Sequence, residues 1–283
     1  MLKVSNVKKV YPGFELNCSL ELLPGHVTGL IGPNGSGKTT LYKSILNLIK
    51  IDGGEIEIFG RPFKELSNED KRNMGVVMAE SGFSGYITIK DVRAILESFY
   101  PQFDGEFFDA MVARAGLNPK KKLKEYSTGM KVKVKLIAAM SHNAKLLILD
   151  EPTAGLDVIA RDEILDYLRE YIEKDEERSI LISSHISSDL ENFCDDLYMI
   201  NEGQIILHED TDKILSDYAL LKLSEADYAA IDKQYILKIK KQKYGYDALT
   251  NQKGFYIENY PQITIQNGSI DELIMMMIGG ESI

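Results

Sequence analysis

One stretch of eight residues constrains this chain more than any other: Gly32-Pro33-Asn34-Gly35-Ser36-Gly37-Lys38-Thr39. It follows a short apolar segment, His26 to Ile31, that reads as a strand, and precedes Leu41, Ile45, Leu48 and Ile49 at helical spacing. A strand, a glycine-rich turn and a helix in direct succession make the scaffold of a phosphate site. Glycines let backbone N–H groups converge on phosphate oxygens, and the helix start adds its positive dipole end. Lys38 adds a point charge, and the Thr39 hydroxyl can ligate Mg²⁺. The pattern implies a nucleoside-triphosphate site built from Asn34 to Thr40.

A second run, Leu146-Leu147-Ile148-Leu149-Asp150-Glu151, reads as a buried strand ending in two carboxylates. In an open α/β sheet a strand end points into the ligand crevice. Asp150 can therefore reach Mg²⁺ through water, and Glu151 can polarise an attacking water. Strands at Glu55 to Phe59, Met74 to Met78 and Ser179 to Ile182 alternate with helical patterns, which predicts a parallel sheet. A helical insert interrupts them. Thr88 and Asp91 form a capping box for a helix whose apolar side is Ile95, Leu96 and Phe99 until Pro101 stops it, and a second helix through Phe107, Met111 and Val112 ends at Gly116. A further helix runs through Met130 to Met140, with Lys131, Lys133 and Lys135 as its solvated face. Leu197 to Ile200 and Gln204 to Leu207 flank a hairpin turn at Asn201 to Gly203. Beyond about Asp210 the pattern loosens into short helices and strands such as Ile263 to Ile265, and Ser269 with Glu272 caps a last helix. There the triplet Met275 to Met277 suits packing or a methionine-rich interface.

The 283 residues carry 33 Lys plus Arg against 43 Asp plus Glu, a net charge of −10. That balance opposes non-specific attraction to nucleic acid or an anionic bilayer. Cys18 and Cys194 follow no metal or redox spacing and read as packing residues suited to a reducing cytoplasm. Met1 to Val10 hold no apolar core of a secretory signal, and no apolar stretch reaches the ~18 residues of a spanning helix. Action at a membrane would require another chain to make the crossing.

Three further patterns lie downstream of the glycine loop: Tyr126-Ser127-Thr128-Gly129-Met130, Asp150-Glu151-Pro152-Thr153-Ala154-Gly155-Leu156-Asp157, and Ser183-Ser184-His185. In this order they resemble the signature, the Walker B motif with its D-loop, and the switch histidine of ATP-binding cassette (ABC) proteins. The resemblance spans roughly residues 1–208. It is nearest to nucleotide-binding subunits of ABC-2-type exporters, including those for amphipathic, phenol-soluble-modulin-like peptide toxins.

The fold it implies is α/β, a P-loop ABC-type core of mixed sheet and helices. A helical subdomain would occupy about 84–140, and a small α+β appendage, regulatory or dimerising, residues 209–283. The implied activity is ATP hydrolysis with Mg²⁺, driving a separate transmembrane permease from the cytoplasmic face of the cell membrane. A second ABC subunit, identical or paralogous, would be the other partner, with no nucleic acid. Carried over by residue, Lys38, Thr39, Asp150 and Glu151 of one subunit face Ser127, Thr128 and Gly129 of the other. His185 contacts the γ-phosphate, Asp157 lies at the subunit junction, and Tyr11 stacks on adenine. Glu151 and His185 are the catalytic pair.

Two departures stand out. Ala79, with Glu80 next to it, occupies the place of the family's Gln, so either Glu80 substitutes after a one-residue shift or coupling of the membrane partner to the metal is altered. Thr128 replaces the signature's first Gly and, being β-branched, disfavours positive φ. The alternative function is a soluble ABC mechano-ATPase working on nucleic acid or ribosomes, which usually needs paired cassettes or a long coiled-coil insertion.

Overall fold

The computed structural model describes residues 1–78 and 82–281, so Ala79 and Glu80 lie outside the described residues. In chain order its strands are β1 (Leu2–Tyr11), β2 (Phe14–Leu22), β3 (Val27–Ile31), β4 (Gly53–Ile58), β5 (Arg61–Pro62), β6 (Met74–Val77), β7 (Leu146–Leu149), β8 (Ser179–Ser184), β9 (Asp196–Asn201), β10 (Gln204–Asp210), β11 (Ala219–Leu223), β12 (Ile236–Gln242), β13 (Gly245–Thr250) and β14 (Thr264–Asn267). The helices are α1 (Lys38–Ile45), α2 (Asn68–Arg72), α3 (Ile89–Phe99), α4 (Gly105–Arg114), α5 (Thr128–Met140), α6 (Val158–Glu173), α7 (Ser187–Glu191), α8 (Thr211–Asp217), α9 (Glu225–Ala230), α10 (Lys253–Asn259) and α11 (Ile270–Gly279).

Among the described residues the large sheet runs β5-β4-β1-β2-β10-β9-β3-β8-β7-β6. Its β6-β7-β8-β3-β9 half is parallel, and the β5-β4-β1-β2 half is antiparallel. Among the parallel strands β7 reads as an unbroken apolar run because it separates two cores. Leu147, Leu149, Ile180, Ile182, Leu197 and Met199 face one. Leu30, Leu146, Ile148, Leu181, Tyr198 and Ile200 face the other, where α1 inserts Leu41, Tyr42 and Ile45.

Register brings the carboxyl ends of three strands together: Ile31 pairs with Ser184 across β3 and β8, and Leu149 pairs with Ile182 across β7 and β8. The residues just beyond each of these strands therefore gather in one crevice. The hairpin between β9 and β10 is also formed, its turn made by Glu202 and Gly203 at positive φ.

The capping box at Thr88 and Asp91 is present, but the buried stripe of α3 is Ile89, Val92 and Leu96. Ile95 and Phe99 are 39% and 67% exposed. The i, i+3, i+7 set already fills the face toward α5, and both residues fall outside that arc. In α4 it is Phe108, rather than Phe107, that is fully buried beside Met111 and Val112. Nor are the α5 lysines a uniform solvated face. Lys131 is exposed, but Lys133 pairs with Glu163 of α6, and half-buried Lys135 donates to the Met78 carbonyl at 3.2 Å.

Beyond β10 a second sheet runs β12-β13-β11-β14, antiparallel throughout. Alternation splits its faces. Leu220 and Leu249 join the core of the large sheet, together with Ile270, Leu273 and Met276 of α11. Leu221, Leu223 and Ala248 belong to a separate cluster closed by Tyr256 of α10. Ser269 caps α11 in a capping box with Glu272 as the spacing predicts, and the backbone N–H of Ile270 donates to Glu191 Oε1 at 3.1 Å. Both cysteines are buried and unbridged.

Candidate functional site

Between β3 and α1 the chain must turn sharply against β9. A Cβ on Gly32 would stand 2.2 Å from the Ile200 carbonyl oxygen, so only glycine fits. Gly37 takes φ +114 immediately before α1. Residues Asn34 to Thr40 then line a cavity of about 580 Å³ together with Phe14, Glu151, Ala154 and His185. Lys38 is 6% exposed, and its ammonium donates to the Gly32 carbonyl at 2.7 Å and lies 3.3 Å from Glu151 Oε1.

Asp150 is buried at the end of β7, and both of its oxygens are engaged. Thr39 donates to Oδ2 at 3.0 Å, and Ser183 of β8 donates to Oδ1 at 2.9 Å. Glu151 comes next at φ +51, a left-handed backbone that costs a non-glycine residue about 1–3 kcal/mol. Its N–H donates to Ser183 Oγ at 3.0 Å, and its Oε2 meets His185 Nδ1. The crevice thus unites Lys38, Thr39, Asp150, Glu151 and His185, from two strand ends and a helix start.

Thr39 and Asp150 offer two hard oxygen donors side by side. Among the described residues no group of three or more His, Cys, Asp or Glu forms a dedicated cage. The Thr39 hydroxyl and Asp150 carboxylate are donors of the kind Mg²⁺ takes, an ion that keeps several waters and shares its shell between one or two carboxylates and substrate phosphates.

Tyr11 stands 40% exposed at the end of β1, with the Lys9 ammonium 5.3 Å from its ring. It does not line the cavity; Phe14, its register partner across the hairpin, does. Sequence reasoning missed Phe14, for which no local motif signals a role. It also left Ser183 without one, although in a strand Ser183 shares the face of His185 two residues on.

Ser127, Thr128 and Gly129 lie outside the cavity of their own chain. Ser127 caps α5 by accepting from the Met130 N–H, and Asp157 caps α6 by accepting from the Ala160 N–H. Both caps are exposed. The two helix starts touch: a Cβ on Gly129 would meet Leu156 Cδ2 at 3.3 Å. Thr128 opens α5 without a positive φ, so the β-branch meets no conflict here.

A glycine loop on a strand end, with a lysine, a hydroxyl and paired acids converging on one crevice, defines a P-loop nucleoside triphosphatase. The family model described as ABC transporter matches residues 16–154. The lantibiotic transport ATP-binding protein SrtF of Streptococcus pyogenes is 35% identical over 216 residues, which is 75% of this chain and 92% of that one. The bacitracin transport ATP-binding protein BcrA of Bacillus licheniformis is 28% identical over 303 residues, covering 100% of this chain and 99% of that one. A dimeric post-hydrolysis cassette, MJ0796 bound to ADP and Pi, superposes with a TM-score of 0.65 at 22% identity over 75% of this chain and 99% of that chain, a likeness of fold. The chain belongs to the ABC transporter family, as one of its ATP-binding subunits. Its activity is ATP hydrolysis.

Proposed function

We propose that this subunit drives a separate membrane-spanning exporter of membrane-active peptides, held at the cytoplasmic face by that partner. The names of the bacitracin and lantibiotic relatives support the cargo class. Among the described residues no helix is long and apolar enough to cross a bilayer, and in this reading the passage is made by the partner chain. Two ATP-binding subunits close head to tail. The Ser127 to Gly129 start of α5 in each, exposed at Ser127 and Thr128, supplies N–H donors and a hydroxyl to the γ-phosphate held by the other, and Asp157 lies at their junction.

The observation that carries this reading is the convergence of Lys38, Thr39, Asp150, Glu151 and His185 on one crevice, with the signature residues turned elsewhere. Lys38 exchanges its loop carbonyls for phosphate oxygens and offsets charge on the transferred group. Glu151 orients the attacking water and accepts its proton. His185, already on Glu151 Oε2, fixes that carboxylate and reaches the γ-phosphate. Thr39 and Asp150 would hold Mg²⁺, which supplies charge neutralisation at the phosphates. The adenine ring stacks against Phe14 at the cavity wall, with Tyr11, its partner across the hairpin, as the outer aromatic.

In this reading residues 1–208 form the ATPase unit and 209–283 an accessory unit that tunes it, although β10 itself runs on to Asp210. The Glu191 link from α7 to α11 supports tuning, because α7 begins two residues after His185.

Glu151→Gln tests the proposal. The variant keeps ATP binding, loses turnover by at least about 10²–10³-fold and accumulates as a nucleotide-bound dimer in size-exclusion chromatography. Turnover at the wild-type rate would refute the assignment. Co-purification of the unmodified chain from membranes identifies the spanning partner.

A further inference from the structure

Ser183 is fully buried at the inner end of β8 and contacts both acids of the crevice at once. Its hydroxyl donates to Asp150 Oδ1 at 2.9 Å and accepts the Glu151 N–H at 3.0 Å. The second contact falls on the residue whose backbone is left-handed, at φ +51. The first leaves Asp150 Oδ2 aligned on Thr39. One oxygen therefore sets the position of the carboxylate at the metal end of the crevice and the direction in which the next carboxylate leaves the chain.

Tyr42 stands behind it. It lies on α1 three residues after Thr39 and is fully buried. Its hydroxyl is near Ser183 and Asp150 but makes no hydrogen bond of ordinary geometry. Burial first, and the Asp150 charge second, push the phenol well above its usual range, so it stays protonated.

We propose that Ser183 is a positioning residue for ATP hydrolysis: it locks the Asp150 carboxylate and the Glu151 main chain into one fixed relation. The proposal rests on the roles assigned above to Asp150 and Glu151.

The test compares two variants of equal shape, Ser183→Thr and Ser183→Val, which share a β-branched side chain and differ by the hydroxyl. Steady-state ATPase kinetics are measured, together with equilibrium binding of ATP in Mg²⁺ and in EDTA. Ser183→Val is expected to lower kcat by about 10–100-fold. Its KM should move far less, its affinity for ATP in EDTA should be unchanged, and the tightening of ATP binding by Mg²⁺ should be diminished. Ser183→Thr is expected to keep kcat within about threefold and the Mg²⁺ effect intact.

Equal kcat and equal Mg²⁺ response in the two variants would overturn the proposal. Should neither pack into β8, Ser183→Ala, which only removes an atom, carries the same test, and wild-type kcat in that variant overturns the proposal equally. Failure of the underlying role assignment registers separately, as undiminished hydrolysis by Glu151→Gln.

Discussion

The two sheets of this molecule use polar side chains in opposite ways. At the large sheet the buried carboxylate of Asp150, just past a strand end, gathers with the buried ammonium of Lys38 at the start of α1, each held by hydrogen bonds to neighbours. In the smaller sheet the interior is aromatic and aliphatic. Phe255 meets Tyr256 edge to face, and the Tyr228 and Tyr246 rings stack at its margin. Charges there are paired at or near the surface, as in the exposed Lys241–Glu225 pair and the Lys222–Asp247 pair, whose carboxylate is half-buried. Buried charge is costly unless matched by specific partners, so it marks a place where chemistry constrains the sequence. A purely apolar interior constrains it only in size and shape. Substitutions in the first region should therefore alter chemistry first, and substitutions in the second should alter stability first.

The largest effect that sharpens this contrast is expected from Tyr256→Ala. The ring is fully buried, and its hydroxyl donates to the Asp232 carbonyl at 2.8 Å. Its removal should cost about 3–5 kcal/mol in the unfolding of the small sheet, read by urea denaturation. Because its cluster is separate from the two cores around the crevice, ATP affinity in the same variant should stay close to wild type. A loss of ATP affinity as large as the loss of stability would break the division between the regions.

The same division decides how much of the molecule is legible in its sequence. The crevice could be read there because its chemistry demands fixed residue types at fixed spacing: the glycine loop, the acids after Leu149, and His185 closing a buried strand. The Ser183 contacts could not, because they depend on the register of β7 against β8, which no local spacing reports. Phe14 entered the cavity wall for the same reason, through hairpin pairing. In α3 the apolar residues outnumber the buried positions, so periodicity named Ile95 and Phe99 where packing chose Ile89 and Val92. For the small sheet only the α11 cap was strongly encoded. Its two-faced packing, one side shared with the large core, arises from contacts distant in sequence.

A smaller effect should come from a side chain that ties the regions together near the site. Glu191→Ala removes the acceptor for the Ile270 N–H at the start of α11. The expected stability loss is about 1 kcal/mol. If α7 carries information from the small sheet to His185, kcat should also shift by about 2–10-fold with ATP affinity unchanged. An unchanged kcat would make the two regions independent and turn the contact into simple packing.

The smallest effect concerns pH, and it separates the regions because all four histidines precede residue 209. His142, just after α5, is buried with Nδ1 3.1 Å from the Ala138 carbonyl oxygen and Nε2 3.2 Å from that of Met74. Its ring stacks on Tyr100 with centroids 4.0 Å apart. Burial holds its pKa below the usual 6.5, against the opposing pull of the two carbonyls, and Lys71 and Lys135 line the same cavity. The folded chain therefore keeps this ring neutral at a pH where the unfolded chain has taken up a proton. The contribution to stability is complete above pH 6.5 and declines as pH falls from there toward the lower folded value. Urea titrations at pH 7.5 and 5.5 should show His142→Gln losing less stability on acidification than the wild type. The small sheet has no histidine, so signals from its tyrosines should show no matching histidine-linked loss over that interval. Equal acid sensitivity of wild type and variant would mean that His142 does not resist protonation in the fold.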